Sequence, residues 1–297
     1  MLFLSYSVCA TSGEQGTVVV GMRIYGIDFT SAPRTAKPIV CAEGQLDGRR
    51  LEIERLTSWK SFEGFEELLI SAGPWLAGVD FPLGQPAELA RLLGWPADWQ
   101  AYVMAVGEMD RQAFVQRLEA FSKSQPAGRK HLFRKTDRVS AACSPMMIYG
   151  VPVAKMFFEG APRIARTSIN VVPCRRTDDD RSLVETYPAL VARHLIGKTS
   201  YKADSRKNNT LDRQSSRAKL VDRVAKLGLG DSDAPADIRL ELSDTLRDAC
   251  VEDMTGDLID SVICCLLAAW CFLQPDGGLP ETVDTNEGWI VNPFQRE

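Results

Sequence analysis

The sequence predicts an α/β protein whose sheet contains strands running in both directions. Four short apolar runs rich in strand-forming residues, 22–28, 37–46, 49–56 and 75–80, surround a single helix-like segment at 58–70. Their order along the chain is strand, strand, strand, helix, strand. The segment 257–273 is apolar nearly all round, which is typical of a helix buried against a sheet.

Turn and periodicity signals justify the first elements. Asp47-Gly48 lies between two strand-like runs and predicts a tight antiparallel hairpin. Phe62, Phe65 and Leu68 recur at helical spacing, and Gly73-Pro74 ends that helix.

The middle of the chain, about 85–165, is interpreted as a helical insertion or cap over the sheet. Helices are expected at 88–93, 99–106 and 111–121, and an interrupted helix is expected from 144 to 158. Further strands are predicted at 168–174 and 182–187. Helices are predicted from Pro188 and over 210–227 and 240–250, and the aromatic tail from 286 is expected to fold back on the body.

Composition limits the class of protein. The chain has 297 residues, 45% hydrophobic and 25% charged, which suits one domain over 22–297, with 1–21 as a non-functional extension. No apolar run is long enough to span a bilayer. The eight cysteines form no CxxC pair, so we expect reduced thiols and a cytoplasmic setting. Two histidines make a zinc site or a serine hydrolase a poor explanation.

Carboxylates recur where the predicted strands end. Asp28, Asp80 and Glu185 close three strand-like runs, and Asp257 and Asp260 share one face at the start of the buried helix. Each has an ordinary structural explanation: a turn cap for the first two, an arginine partner for Glu185, a helix N-terminus for Asp257. If they converge, their repulsion is tolerable only around one or two divalent cations such as Mg²⁺ or Mn²⁺.

Two basic segments could contact phosphates on this net acidic chain, whose formal charge is −4. The first is the loop 128–138 and the second runs from 193 to 226, and a solvated surface explains either about as well. The candidate substrate-binding residues are Lys130, Arg134, Lys155, Lys202, Arg206 and Lys207. Tyr201 or Phe133 could stack a base.

Several segments together resemble a known family. They are GIDFTSAP, GVDFPLGQP, YGVPVAKMFFEGAP, ETYPALVARHLIG, SYKADSRK and GDLIDSVICCLLAAW, and the likeness extends from Met22 to Pro293. They resemble the domain-of-unknown-function-429 family, described as predicted nucleases of the ribonuclease-H-like fold.

The resemblance implies a mixed five-stranded sheet flanked by helices, with acidic residues at its centre. Asp28 would correspond to the first-strand aspartate of that superfamily. Asp257 and Asp260 resemble the paired aspartates at the start of the last helix in Holliday-junction resolvases. Asp80 matches a strand-end acid, and Glu185 matches less closely.

The leading hypothesis is therefore a metal-dependent nuclease whose partner is DNA or RNA, without a membrane or an obligate protein partner. Asp28 and Asp260 would hold the metals, Asp80 and Asp257 would complete the shell, and Glu185 would assist. A phosphotransferase or ATPase of the same fold, or a non-catalytic nucleic-acid-binding or scaffold protein, stays open.

Overall fold

The computed structural model describes residues 21–203, 205–226 and 238–295. The predicted extension 1–21 lies outside these residues except for Gly21. The strands are β1 (Met22–Asp28), β2 (Ile39–Asp47), β3 (Arg50–Trp59), β4 (Trp75–Val79), β5 (Asn170–Val172), β6 (Arg181–Glu185) and β7 (Arg239–Glu241). The helices are α1 (Glu63–Ile70), α2 (Ala87–Leu92), α3 (Trp99–Gly107), α4 (Arg111–Ser124), α5 (Lys135–Val139), α6 (Val153–Ala165), α7 (Pro188–Ile196), α8 (Leu211–Lys226), α9 (Asp244–Glu252) and α10 (Asp257–Leu273), with a short 3-10 helix at Arg206–Asn208.

The described strands form one mixed sheet in the order β5-β6-β4-β1-β2-β3-β7. β5, β6, β4 and β1 run parallel, the β1-β2-β3 meander is antiparallel, and β7 lies parallel to β3. The mixed α/β prediction is confirmed. Because β1, β4 and β6 are parallel neighbours, their carboxyl ends lie along one edge of the sheet.

The expected count of five strands is wrong, since the described residues form a sheet of seven. β7 lies at one edge, where the sequence predicts the start of a helix over 240–250. Three residues are too few to show a strand's alternation. The helix there begins later, at Asp244, where the Ser243 side chain accepts a hydrogen bond from the backbone N–H of Leu246.

Helices cover both faces of the sheet. On one face, apolar residues of α7, α8 and α10 pack with the alternate strand residues Ile24, Leu76 and Val184. On the other face, α1–α4 and α6 pack with the intervening residues, such as Ile27 and Leu183. The predicted insertion thus supplies most of a second layer. Its predicted helix from 144 is wrong at its start, because residues 144–152 form turns and α6 begins at Val153.

The last helix and the C-terminal tail are as predicted. α10 is buried along nearly its whole length. The tail folds back on the body: Trp289, Ile290 and Val291 are buried, and the Val291 N–H donates to the Glu185 carbonyl at 2.9 Å. None of the described helices combines the length and the apolarity that crossing a membrane requires.

Candidate metal centre

Two glycines let α10 approach the sheet closely. Gly26 of β1 and Gly78 of β4 are partners in register. A Cβ on Gly26 would lie 2.1 Å from the carbonyl oxygen of Ser261, and one on Gly78 would lie 2.6 Å from that of Cys264. Only glycine therefore permits this helix–strand contact.

The aspartates that follow the two glycines by two residues face the same side of the sheet. Strand residues two apart face the same side of a sheet, so Asp28 follows Gly26 onto the α10 face, and Asp80 follows Gly78. Asp260 lies in the first turn of α10. Carboxylate oxygens of Asp28, Asp80 and Asp260 all lie within 4.8 Å of one another. We call these three residues the carboxylate cluster.

Asp257 and Lys202 flank the cluster. The Lys202 ammonium forms an ion pair with Oδ2 of Asp260 and lies 3.9 Å from Oδ1 of Asp257. The Tyr201 hydroxyl donates to Oδ1 of Asp260 at 2.7 Å. Tyr201, predicted as a base-stacking residue, is only 8% exposed and instead holds Asp260 in place.

Burial and mutual repulsion perturb the cluster. Burial raises the pKa of Asp28 and of Asp260, and neighbouring carboxylates raise both further while Lys202 opposes the shift. For Asp80, burial and the charge of Asp260 raise the pKa to about 7. Burial acts to lower the pKa of Lys202, but Asp260 and Asp28 outweigh it, so its pKa lies well above the usual value. The positive charge of one ammonium is thus shared among several carboxylates and neutralises them only in part.

Glu185 lies outside the cluster. It is one residue out of phase with the others, on the same side of β6 as Leu183, and therefore faces the second helical layer. Its Oε1 and Oε2 accept hydrogen bonds from the Arg134 guanidinium at 2.6 and 2.7 Å, and Oε2 also accepts from the Leu83 N–H at 2.9 Å. Glu185 thus has an arginine partner, as one of its two explanations predicts, but the partner is Arg134 and not one of its neighbours in sequence, Arg175, Arg176 or Arg181.

The predicted basic residues occupy different environments. Arg134 is 1% exposed, and its guanidinium is bound to Asp137, Glu185 and the Glu287 carbonyl. These hydrogen bonds occupy its guanidinium N–H groups, so Arg134 is not available for the predicted phosphate contact. Lys202 lies at the cluster, whereas Lys130, Arg206 and Lys207 are exposed and Lys155 is partly buried near the start of α6, and their phosphate contacts stay predictions.

A pocket of about 480 Å³ opens beside the cluster. Asp80, Asp260 and Lys202 line it together with apolar side chains of the insertion, the start of α7 and the tail. The residue types that form its apolar walls, such as Val151 and Met156, carry no sequence signal of a site. The sequence therefore indicates the acidic residues of the site but not this pocket.

The fold and the site define an α/β protein with three convergent carboxylates at the ends of parallel strands and the start of a buried helix. The family model described as protein of unknown function (DUF429) matches residues 26–275, so the chain belongs to this family. All three cluster residues fall within the match. No curated protein and no solved structure matches the chain.

Proposed function

We propose that the chain is a divalent-metal-dependent phosphodiesterase that acts on nucleic acid. The observation that carries the proposal is the convergence of Asp28, Asp80 and Asp260 within 4.8 Å. Capping three separate elements would not require their side chains to meet. A cluster that is buried, repulsive and only partly neutralised is typical of a site that a cation completes.

The sheet supports a ribonuclease-H-like interpretation. In the proposal, the five inner strands β3-β2-β1-β4-β6 correspond to the mixed sheet that the resemblance implies, and β5 and β7 extend it at the edges. The first-strand aspartate lies in the central strand, and the first turn of the last helix faces it. This is the arrangement expected for the family's predicted nuclease chemistry.

The residues present fit a Mg²⁺ or Mn²⁺ ion. All three ligand groups are carboxylates, and oxygen is the donor that both ions prefer. In the proposal Asp28, Asp80 and Asp260 hold the ion, and Asp257 stays beside Lys202. A bound divalent ion would supply a more acidic water and charge neutralisation at a phosphate oxygen.

Side chains around the cluster have definite tasks in this proposal. Tyr201 orients Asp260 through its hydrogen bond, which leaves the second oxygen of that carboxylate for Lys202 and the ion. Lys202 is charged and lines the pocket, so its ammonium can donate to a phosphate oxygen there. Arg134 pairs with Glu185 and balances its charge locally, so Glu185 raises the pKa of Asp80 less than Asp260 does.

The test is cleavage of single-stranded and duplex DNA and RNA with Mn²⁺ by the wild type and by Asp28→Asn. The amide keeps the shape of the side chain but removes its charge, so we expect cleavage to fall at least a hundredfold with an unchanged circular dichroism spectrum. The exposed Asp276→Asn serves as the control and should cleave like the wild type. Cleavage that persists in EDTA, or in Asp28→Asn, would refute the proposal.

A further inference from the structure

We infer that this site acts on a nucleotide that has left the base stack, whose base and sugar enter the pocket beside the carboxylate cluster. The inference rests on the proposed function and narrows its substrate to unpaired nucleotides of a strand. Three features of the pocket carry it: its size, its lining of both charged and apolar side chains, and the elements that enclose it.

The first feature is size. A volume of about 480 Å³ lies within the 300–1,000 Å³ of pockets that take small molecules. Backbone-tracking sites on nucleic acid are instead grooves that follow the strand over several nucleotides. A pocket of this size suits one nucleotide rather than a stacked duplex.

The second feature is the mixed chemistry of the pocket lining. Asp80, Asp260 and Lys202 line it, and so do Phe81, Met156 and Ile290. A further group of charged lining residues is ion-paired among itself, namely Arg134, Asp137 and Glu185. A nucleotide combines the same two kinds of chemistry, since its phosphate is charged and its base has a flat apolar face. A free phosphate ion would leave the apolar side chains without a contact.

The walls come from parts of the chain that enclose the cluster. Val151 and Met156 belong to the insertion, Ala189 to α7, and Ile290 to the tail. Ile290 is held in place because its N–H donates to Oγ1 of Thr136 in α5, 2.9 Å away. Enzymes that act on a nucleotide inside such an enclosure extrude it from its stack, which is easiest where the nucleotide is already unpaired.

The experiment fills the pocket without touching the cluster. Ala189→Phe places a ring in it from α7, and Ala142→Phe does so from the loop after α5. Ala249→Phe, at a partly buried position of α9 outside the pocket lining, is the control. Isothermal titration with Mn²⁺ should give the same affinity within about twofold for all four proteins.

Two substrates are compared: a fully paired DNA duplex closed by hairpins at both ends, and the same duplex with one unpaired 2-aminopurine nucleotide. With Ca²⁺ in place of Mn²⁺, binding should raise 2-aminopurine fluorescence in the wild type and the control. With Mn²⁺, cleavage should occur beside the unpaired nucleotide at least tenfold faster than anywhere in the paired duplex. Both pocket variants should weaken binding and cleavage at least tenfold.

Equal cleavage of the two duplexes, or unimpaired cleavage by both folded pocket variants, would overturn the inference while leaving the nuclease proposal intact. Conversely, pocket-dependent binding without any Mn²⁺-dependent cleavage would support the pocket assignment and refute the nuclease. Binding of adenosine 5′-monophosphate without binding of either duplex would identify a free nucleotide as the ligand and refute the inference as stated.

Discussion

Replacing Asp80 by asparagine should stabilise the metal-free protein. Asp80 is partly buried at the end of β4, and burial together with the charge of Asp260 raises its pKa from 3.8 to about 7. Its carboxyl therefore binds a proton more tightly in the folded protein than in the unfolded chain. For such a group, stability falls as pH rises from about 4 to about 7 and is constant above that range.

The magnitude follows from that shift. One pKa unit corresponds to about 1.4 kcal/mol, so Asp80 costs at most about 4 kcal/mol at pH 8, where it is ionised in the folded protein. At pH 5 the cost is about 1.5 kcal/mol, because the carboxyl takes up a proton on folding. Asparagine resembles the protonated acid and avoids this cost. Solvent screens the exposed part of Asp80, so we expect the advantage of Asp80→Asn to grow by at least about 1 kcal/mol between the two pH values.

The assay is urea unfolding in EDTA at pH 5 and pH 8, with Asp276→Asn as the exposed control. A variant that is less stable than the wild type at both pH values, or whose advantage does not grow with pH, would refute the electrostatic reasoning. Mn²⁺ should narrow the difference in stability between the two proteins. At a hundred times its dissociation constant, it would stabilise the wild type by about 2.7 kcal/mol, and it should have little effect on Asp80→Asn.

Three further substitutions test the construction of the site. Gly26→Ala should lower the free energy of unfolding in urea by about 3 kcal/mol and weaken Mn²⁺ binding, because its methyl group would meet the α10 backbone. A stability within about 0.5 kcal/mol of the wild type would contradict this. Arg134→Met should lower the free energy of unfolding by about 3–5 kcal/mol, because it leaves buried carboxylates unpaired. The exposed Arg138→Met should lower it by less than about 0.5 kcal/mol. Equal losses in the two variants would contradict the buried network. Lys202→Met should bind Mn²⁺ more tightly in calorimetry, because it removes a competing cation, yet cleave at least tenfold more slowly, because it removes a phosphate donor. The exposed Lys198→Met is the control. If Lys202→Met behaves like this control, neither role of Lys202 is supported.

Local signals were sufficient for most of the fold. The hairpin at Asp47-Gly48 and the buried helix from Asp257 are as predicted, because each depends on a pattern within a single segment. The edge strand β7 was missed because it is short and gains its stability from pairing with β3, a contact between distant parts of the chain.

The sequence predicted the acids of the site better than their roles. Gly26 and Asp28, and likewise Gly78 and Asp80, are spaced two apart, which places each aspartate on the face that α10 approaches. The same parity argument, applied to β6, would have put Glu185 on the opposite face. Arg134 stood in a basic loop, and its burial depends on Glu185, which is 51 positions away in sequence. Composition alone cannot reveal such a partner.

The two groups of acids at this edge of the sheet illustrate how a structural carboxylate differs from a functional one. Glu185 is buried, yet each of its oxygens accepts a hydrogen bond from a guanidinium that is itself buried, so its charge is locally balanced. Asp28, Asp80 and Asp260 are equally close to the core, but they share a single lysine with Asp257. If stability alone determined these positions, an amide or an apolar residue would serve better, because ionised carboxylates without full compensation destabilise a fold. Under the proposed function the uncompensated charge is explained by a divalent cation, whose charge and preference for oxygen ligands match the three carboxylates.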